Sequence, residues 1–332
     1  MSRRIRLALA AALVIVCAVP TAAYLKLGTR VGSRTVTLAW RQFPIRYFIT
    51  NRDVDGVTAP QFRTAVESAF GKWHAVPNTS TSSQFVGFTQ ANPVSGDGAT
   101  VLGFQNRPEL DRTLAATNFF IDTTTGEIVE SDIFFNSAFA WSTFEAGVTG
   151  RFDVASIAQH EIGHLLGLSH SALGETELRA GGRRVLGAEA VMFPIAFSAG
   201  DINDRTLKAD DIAGISDIYG TATFQRQTGS VSGTVTKNGR GVLGAHVVAF
   251  NPASGKLIGG FSLSPDGSFV IAGLEPGPQV LRVEPLDDGD ISSFFDETMD
   301  IDVDFKVAFY DKVVVVPRGG GARNIEIQVQ AK

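Results

Sequence analysis

The stretch HEIGHLLGLSH, residues 160–170, decides how the rest of this chain is read. His160 and His164 are four residues apart, which on a helix stacks them one turn above the other on a single face. Gly167 is free to take positive φ, so it can end that helix and turn the chain until His170 comes back from the side. Three imidazoles converging in this way suit one zinc ion, which takes nitrogen ligands at about 2.0–2.1 Å in a tetrahedron and, at a catalytic site, keeps the fourth position for water. Glu161, beside the first of the three, is placed to take a proton from that water instead of binding the metal. A shuffled chain of this composition carries HExxHxxGxxH on the order of once in a hundred thousand trials, so chance is a poor explanation. Three of the chain's five histidines fall within these eleven residues, which an ordinary amphipathic core helix does not account for.

Working outward, RFDVAS at 151–156 starts the helix with Asp153 as its N-cap, and Ile157, Leu165 and Leu166 are expected on its buried side. ETELRAGGRR, 175–184, is polar and glycine-rich and reads as a loop or short hairpin over one end of the site; Met192 follows in AVMFP. Upstream, FPIRYFIT at 43–50 alternates apolar and polar residues as a strand does. Thr58 then precedes a helical pattern through Phe62, Val66, Ala69, Phe70 and Trp73, with Pro60 in its first turn. His74 closes this helix and reads as a residue favoured there by the dipole, not as a ligand. TVLGF at 100–104, TLAATNFFID at 113–122 and EIVESDIFFN at 127–136 read as strands, the last two joined by the turn TTTG.

The histidine motif with Met192 downstream resembles the metzincin clan of zinc peptidases, and within it the matrixins. Ser171 directly follows the third histidine, the methionine turn reads VMFP, and LKADDIAGISDIYG at 207–220 is similar to that family's closing helix. The resemblance covers roughly residues 40–220. It implies an α/β (α+β) metzincin-like catalytic domain with a twisted mixed sheet and an active-site helix, acting as a zinc-dependent endopeptidase. One catalytic zinc is then held by His160, His164 and His170, with Glu161 as general base and Met192 in the turn beneath the metal. Leu114, Ala115 and Ala116 lie on an edge strand that pairs with an extended substrate backbone. Pro194 and Ile195 form one wall of the pocket for the side chain after the cut bond. One departure stands out: vertebrate-type matrixins hold a second, structural zinc with histidines and an aspartate, and this chain has no histidine between His74 and His160. That second zinc is not expected. Asp122, Glu127, Glu130 and Asp132 offer oxygen ligands of the kind calcium takes, but their spacing fits no fixed calcium loop, so no ligand set is assignable and solvated turn carboxylates are the preferred reading.

With 332 residues, 44% hydrophobic and 19% charged, the chain has room for two ordinary globular domains. A net charge of −5, with no basic run outside the N-terminus, gives no reason to expect nucleic acid as a partner. Cys17 is the only cysteine, so no disulfide framework and no cysteine switch on the zinc are expected. Arg3, Arg4 and Arg6, the apolar run Leu7 to Val19 and the small residues Thr21-Ala22-Ala23 read as an export signal over 1–23, followed by a linker over 24–39. The apolar run is thirteen residues long, short of the ~20 that a membrane span needs. An uncleaved anchor is the alternative, and a lipoprotein signal at Cys17 is disfavoured by the bulk of Val16. The expected protein is secreted, periplasmic or extracellular, monomeric, without a membrane span once the signal is removed, and acts on protein or peptide substrates.

The catalytic domain is expected over 40–222. Near residue 225 the pattern changes to short alternating strands with Asn-Gly and Asp-Gly turns, which reads as an all-β sandwich over 226–332. The phrases SGTV, LGAHVVAF, PDGSFVIAGL and PGPQVLRV resemble the carboxypeptidase regulatory-like domain, a transthyretin-like fold. FKVAFYDKVVVVPRG and ARNIEIQVQ supply its last strands, and His246 reads as structural. The competing function is a non-catalytic surface adhesion module that uses the zinc fold to grip a partner; the intact Glu161 argues against it, because binding alone needs no base.

Overall fold

The computed structural model describes residues 17–18, 26–31, 34–180 and 182–332, so the expected export signal lies outside the described residues except for Cys17 and Ala18. A five-stranded sheet organises the first half. Its strands lie in the spatial order Ser83–Thr89, Ile45–Thr50, Thr100–Gln105, Glu127–Asn136, Ala115–Asp122. The first four run parallel and the last is antiparallel to its neighbour, giving a mixed sheet with one antiparallel edge. The strand Ser83–Thr89 was not anticipated. Its apolar residues Val86 and Phe88 stay 37% and 41% exposed, so the in-and-out contrast that marks a strand is weak there.

Helix α1, Ala59–His74, starts at a capping box in which the Thr58 hydroxyl accepts from the Gln61 amide and the Gln61 side chain accepts from the Thr58 amide. It buries Phe62, Val66, Ala69, Phe70 and Trp73. Phe62 meets Phe104 and Phe135 of the sheet at 4.9 Å between ring centres, and Phe70 meets Tyr47 at 4.8 Å. Helix α2, Val154–Leu165, is capped by Asp153, whose carboxylate accepts from the Ser156 amide at 2.8 Å. The Trp73 indole N–H donates to the Gln159 carbonyl at 2.9 Å and joins the two helices. Val154, Ala158, Ile162, Leu165 and Leu166 form the buried side of α2. Ile157 is only partly buried but packs against the same core, as expected. It stands three residues before His160, on the same face, and therefore lines the cleft.

The described part of the expected 24–39 linker, residues 26–31 and 34–39, is structured. Leu27–Val31 and Arg34–Thr37 pair as an antiparallel hairpin. The Leu27 amide donates to Gly167 O at 2.9 Å, Leu38 is fully buried, and the Lys26 ammonium pairs with the Asp217 carboxylate. This segment therefore braces the end of α2. Helix α3, Ala209–Tyr219, and the short helix Ala222–Gln227 lead into the second half.

That half is a two-sheet sandwich. In one sheet Gly229–Lys237 lies between antiparallel Ser268–Leu274 and parallel Gly321–Val329. In the other, His246–Phe250 lies between Leu257–Phe261 and Gly277–Glu284. Asn238 and Gly239 take φ of 53° and 76°, the two positive values of a tight hairpin turn, as the Asn-Gly pair predicts. Val231, Val235, Val247, Phe269, Ile271, Leu281 and Val283 fill the space between the sheets. The fold is thus α/β followed by all-β. The two halves are fused: Ala213 of α3 belongs to the sandwich core, and the buried Asp210 carboxylate accepts from the Gly259 amide at 2.9 Å.

Candidate metal centre

His160 and His164 project from one face of α2. After the helix, Gly167 at φ 98° turns the chain, and a Cβ there would lie 2.5 Å from Leu38 O, so both the backbone angle and the space require glycine. The turn returns His170 to the first two rings. Ring centres are 4.7 Å apart for His160–His164 and for His164–His170, and 5.4 Å apart for His160–His170. One ring nitrogen from each lies within 4.8 Å of the other two.

The outer nitrogens settle which atoms face inward. His160 Nδ1 is 2.8 Å from Val191 O, His164 Nδ1 is 2.8 Å from Leu168 O, and His170 Nδ1 is 2.6 Å from Ser293 O. A carbonyl only accepts, so each Nδ1 carries the proton and each Nε2 is left bare. His164 Nε2 and His170 Nε2 face one another at 3.2 Å. Two nitrogens of a tetrahedral zinc site, each about 2.0–2.1 Å from the ion, stand about 3.3 Å apart. The residues present therefore fit zinc. Burial pushes the His160 pKa down to about 3, and His164 and His170 are lowered as well, chiefly by burial, so all three rings are neutral as ligation requires.

Glu161 is buried, and loss of solvent pushes its pKa up to about 7 against the opposing hydrogen bond from Thr117. The Thr117 hydroxyl donates to Glu161 Oε2 at 2.6 Å. Met192 is 2% exposed and lies beneath α2, where a Cβ on Gly163 would collide with its sulfur. The Met192 turn is held from below by Asp211, whose carboxylate accepts from the amides of Val191 at 2.9 Å, Met192 at 3.2 Å and Lys208 at 2.8 Å. Burial raises the Asp211 pKa to about 6.

A cleft of about 800 Å³ opens over the triad, lined by His160, Glu161, His164 and His170. Leu114, Ala115, Ala116, Pro194 and Ile195 all line it too. The edge strand starts at Ala115, so Leu114 lies just before it, with its carbonyl accepting from the Asn136 amide at 2.7 Å. The polar run after His170 is a hairpin, Gly174–Arg179 with Gly182–Ala188, and Gly182, Arg183 and Arg184 form another side of the cleft. Asp204 also lines it, with Oδ1 buried and without a hydrogen-bond partner.

The remaining candidates lie elsewhere. His74 accepts or donates at both nitrogens to the hydroxyls of Thr81 and Ser83, each at 2.9 Å, and burial lowers its pKa to about 4. It is neutral, so the favourable dipole interaction expected of a charged ring does not operate. His246 bonds the Glu284 carboxylate at 2.9 Å inside the sandwich. Of the four acidic residues, Asp122 is the exposed turn carboxylate expected, accepting from the Thr124 amide at 2.7 Å. Glu130 and Asp132 are not solvated, contrary to expectation: they are 2% and 0% exposed and accept from the amides of Gly98 at 2.6 Å and Val101 at 2.8 Å. Among the described residues, the histidine triad is the one grouping of three or more side chains with metal-binding geometry.

Thr117, Asp211 and Ser293 were not foreseen. Thr117 sits in the strand read over 113–122, of which only Leu114, Ala115 and Ala116 were given a role, Asp211 in a segment read only as a helix, and Ser293 acts through its carbonyl, which no side-chain pattern announces.

A family model described as Matrixin matches residues 39–220, which contain the triad, Glu161, the edge strand, Met192 and α3, and end before the sandwich. The chain is 30% identical to Metalloendoproteinase 1 of Glycine max over 177 residues, 48% of this chain and 46% of that protein. It is 27% identical to Metalloendoproteinase 2-MMP of Arabidopsis thaliana over 193 residues, 52% and 44% of the two chains. With Stromelysin-1 of Mus musculus the identity is 35% over 98 residues, 30% of this chain and 17% of that protein. The chain thus spans half or less of the length of the curated relatives it matches. Triad geometry, edge strand and family match agree: the chain belongs to the matrixins, a family of zinc-dependent metalloendopeptidases.

Proposed function

We propose that this protein is a zinc-dependent endopeptidase whose catalytic part, 40–222, cuts extended protein substrates, and that it is exported to act outside the cytoplasm. Among the described residues no helix is long and apolar enough to cross a membrane. The observation that carries the reading is the pairing of a three-imidazole centre with a buried, oriented carboxylate in one cleft.

The Nε2 atoms of His160, His164 and His170 would hold the ion. Bound there, zinc supplies Lewis acidity to the attacking water and to the scissile carbonyl. Thr117 occupies Oε2 of Glu161, leaving Oε1 to take the proton of the water. Glu161 then passes that proton to the leaving amine nitrogen, so that water and amide are converted to carboxylic acid and amine. A raised carboxylate pKa suits both halves of this transfer, because the group gives and takes a proton near neutrality.

Substrate placement rests on the edge strand Ala115–Asp122, whose one ladder partner among the described residues is Glu127–Asn136. Its other side is open for strand addition by an extended peptide. Residues 112–117 and 193–198 line the cleft on either side of the triad residues, and pairing through backbone alone favours a chain running through the cleft over one that ends in it. Pro194 and Ile195 supply the wall for the side chain after the cut bond. A base with its own orienting hydroxyl supports hydrolysis over simple adhesion, since a gripping module has no use for either.

The test is a casein digest with matched zinc analysis. Chelation should stop cleavage and zinc should restore it; cleavage that persists with the metal removed would refute the reading.

A further inference from the structure

Of the three imidazoles, His170 is the one that no helix fixes, and its orientation depends on what its outer nitrogen meets. His160 and His164 use carbonyls from the matrixin segment itself, Val191 and Leu168. His170 reaches instead to Ser293 O, 123 positions along the chain and inside the sandwich half, at 2.6 Å, the shortest of the three contacts.

Resting on the endopeptidase reading, we propose that the sandwich completes the active site, its segment Asp288–Phe294 acting as a positioning element for the third zinc ligand and for the hairpin beside the cleft. Ser293 ends the short 3-10 turn Ile291–Ser293. Phe294 and Phe295, each 3% exposed, seat that turn in an apolar cluster with Phe261 of the sandwich and Ala172, two residues after His170. The Phe294 ring is 6.2 Å from the His170 ring, edge on. Turn and imidazole therefore move as one packed unit.

The same segment holds the hairpin. Asp288 accepts from the Thr176 amide at 2.6 Å through Oδ1, and its carbonyl accepts from the Thr176 hydroxyl at 2.9 Å. Arg183, which lines the cleft, donates to the Thr176 hydroxyl at 3.0 Å and lies 3.8 Å from the Asp290 carboxylate. A carbonyl on Nδ1 fixes the tautomer, aims Nε2 at the metal and makes it more basic; losing such a partner typically costs about 10–100-fold in metal affinity. Ser293 is thus a positioning residue acting through its backbone. Asp288 is a positioning residue for the hairpin.

The first experiment uses the full chain and reads the metal, not turnover, so it stands apart from the peptidase reading. Phe294→Ala removes the ring that seats the turn, and Phe294→Leu keeps an apolar side chain there. Zinc affinity is measured by competition with a chromophoric chelator, and ligand geometry by the visible spectrum of the cobalt-substituted protein. Phe294→Ala should weaken zinc by about 10–100-fold and change the cobalt spectrum, with Phe294→Leu restoring most of both. A folded Phe294→Ala chain with wild-type affinity and spectrum would overturn the proposal. If that variant does not fold, the zinc-loaded wild type decides. Three exchange-protected imidazole Nδ1–H signals, one assigned to His170, support the proposal, and a His170 signal exchanging freely with solvent overturns it. Asp288→Ala should raise KM for a peptide substrate with kcat nearly unchanged; unchanged KM would remove the hairpin from the proposal.

Discussion

The hydroxyl of Thr117 donates to Oε2 of Glu161 at 2.6 Å, so the strand that borders the cleft also holds the candidate base. Strand position and carboxylate direction are coupled through one hydrogen bond to a charged group, a bond worth about 1.5–3 kcal/mol. Thr117→Val keeps the shape and deletes the donor. It should lower kcat about 10–100-fold while zinc affinity stays within a few-fold, and Thr117→Ser should recover most of the loss. Steady-state kinetics with a zinc titration checks this, and a Val variant at full kcat would separate the strand from the base.

Gly167 sets a second expectation. At φ 98°, with Leu38 O 2.5 Å from the position of an added Cβ, Gly167→Ala faces both backbone strain and a collision. The strain alone is of order 1–3 kcal/mol. Thermal unfolding should show a loss of at least that size, and zinc content should fall because His170 no longer returns to α2. An alanine variant of normal stability and zinc content would contradict the geometric argument.

Asp204 gives a pH dependence. Burial, reinforced by the charges of Asp211 and Asp201, raises its pKa from 3.8 to about 7. Below the unfolded value both states hold the proton and the group is neutral in its effect. As pH rises from about 4 to 7 the unfolded chain ionises first, so the folded state loses stability, and above 7 the cost is constant. Asp204→Asn removes it. At about 1.4 kcal/mol per unit, the variant should gain on the order of 2–4 kcal/mol at pH 8 and little at pH 4. Denaturation midpoints at the two pH values measure this; a gain independent of pH would be evidence against the buried charge.

Asp153 carries two loads. It caps α2 at the Ser156 amide and pairs with Arg205 through both carboxylate oxygens, at 2.6 and 2.8 Å, while only 4% exposed. Removing a cap costs about 1 kcal/mol, and stranding a largely buried partner charge costs about 3–5 kcal/mol. Both Asp153→Ala and Asp153→Asn strand Arg205, but Asn retains the cap acceptor, so the alanine variant should be the less stable by about 1 kcal/mol. Equal losses in urea denaturation would show that the cap contributes nothing.

These relationships divide by range along the chain. The N-caps at Thr58 and Asp153, the Asn238-Gly239 turn and the convergence made possible by Gly167 depend on residues a few positions apart, and each was legible in the sequence. The cleft walls at Leu114–Ala116 and Pro194–Ile195 followed from resemblance, because nothing local says which strand edge faces a helix. Hydrophobicity placed Ile157 against the core but did not say that it also lines the cleft beside His160. The hairpin over 27–37 lacked a signal because its burial is against Gly167 and Asp217, far along the chain. Thr117, Asp211, Asp288 and Ser293 act across 44, 20, 112 and 123 positions, and contacts of that span leave no periodic trace.

The central claim is that Glu161 moves the proton while the histidines hold the metal. Glu161→Gln separates the two, since it keeps size and polarity but cannot accept the proton. Zinc stoichiometry and casein cleavage should be measured on the same preparation. The account predicts one zinc per chain with cleavage reduced by about 10²–10⁴-fold. One zinc per chain with cleavage at the wild-type rate would contradict it.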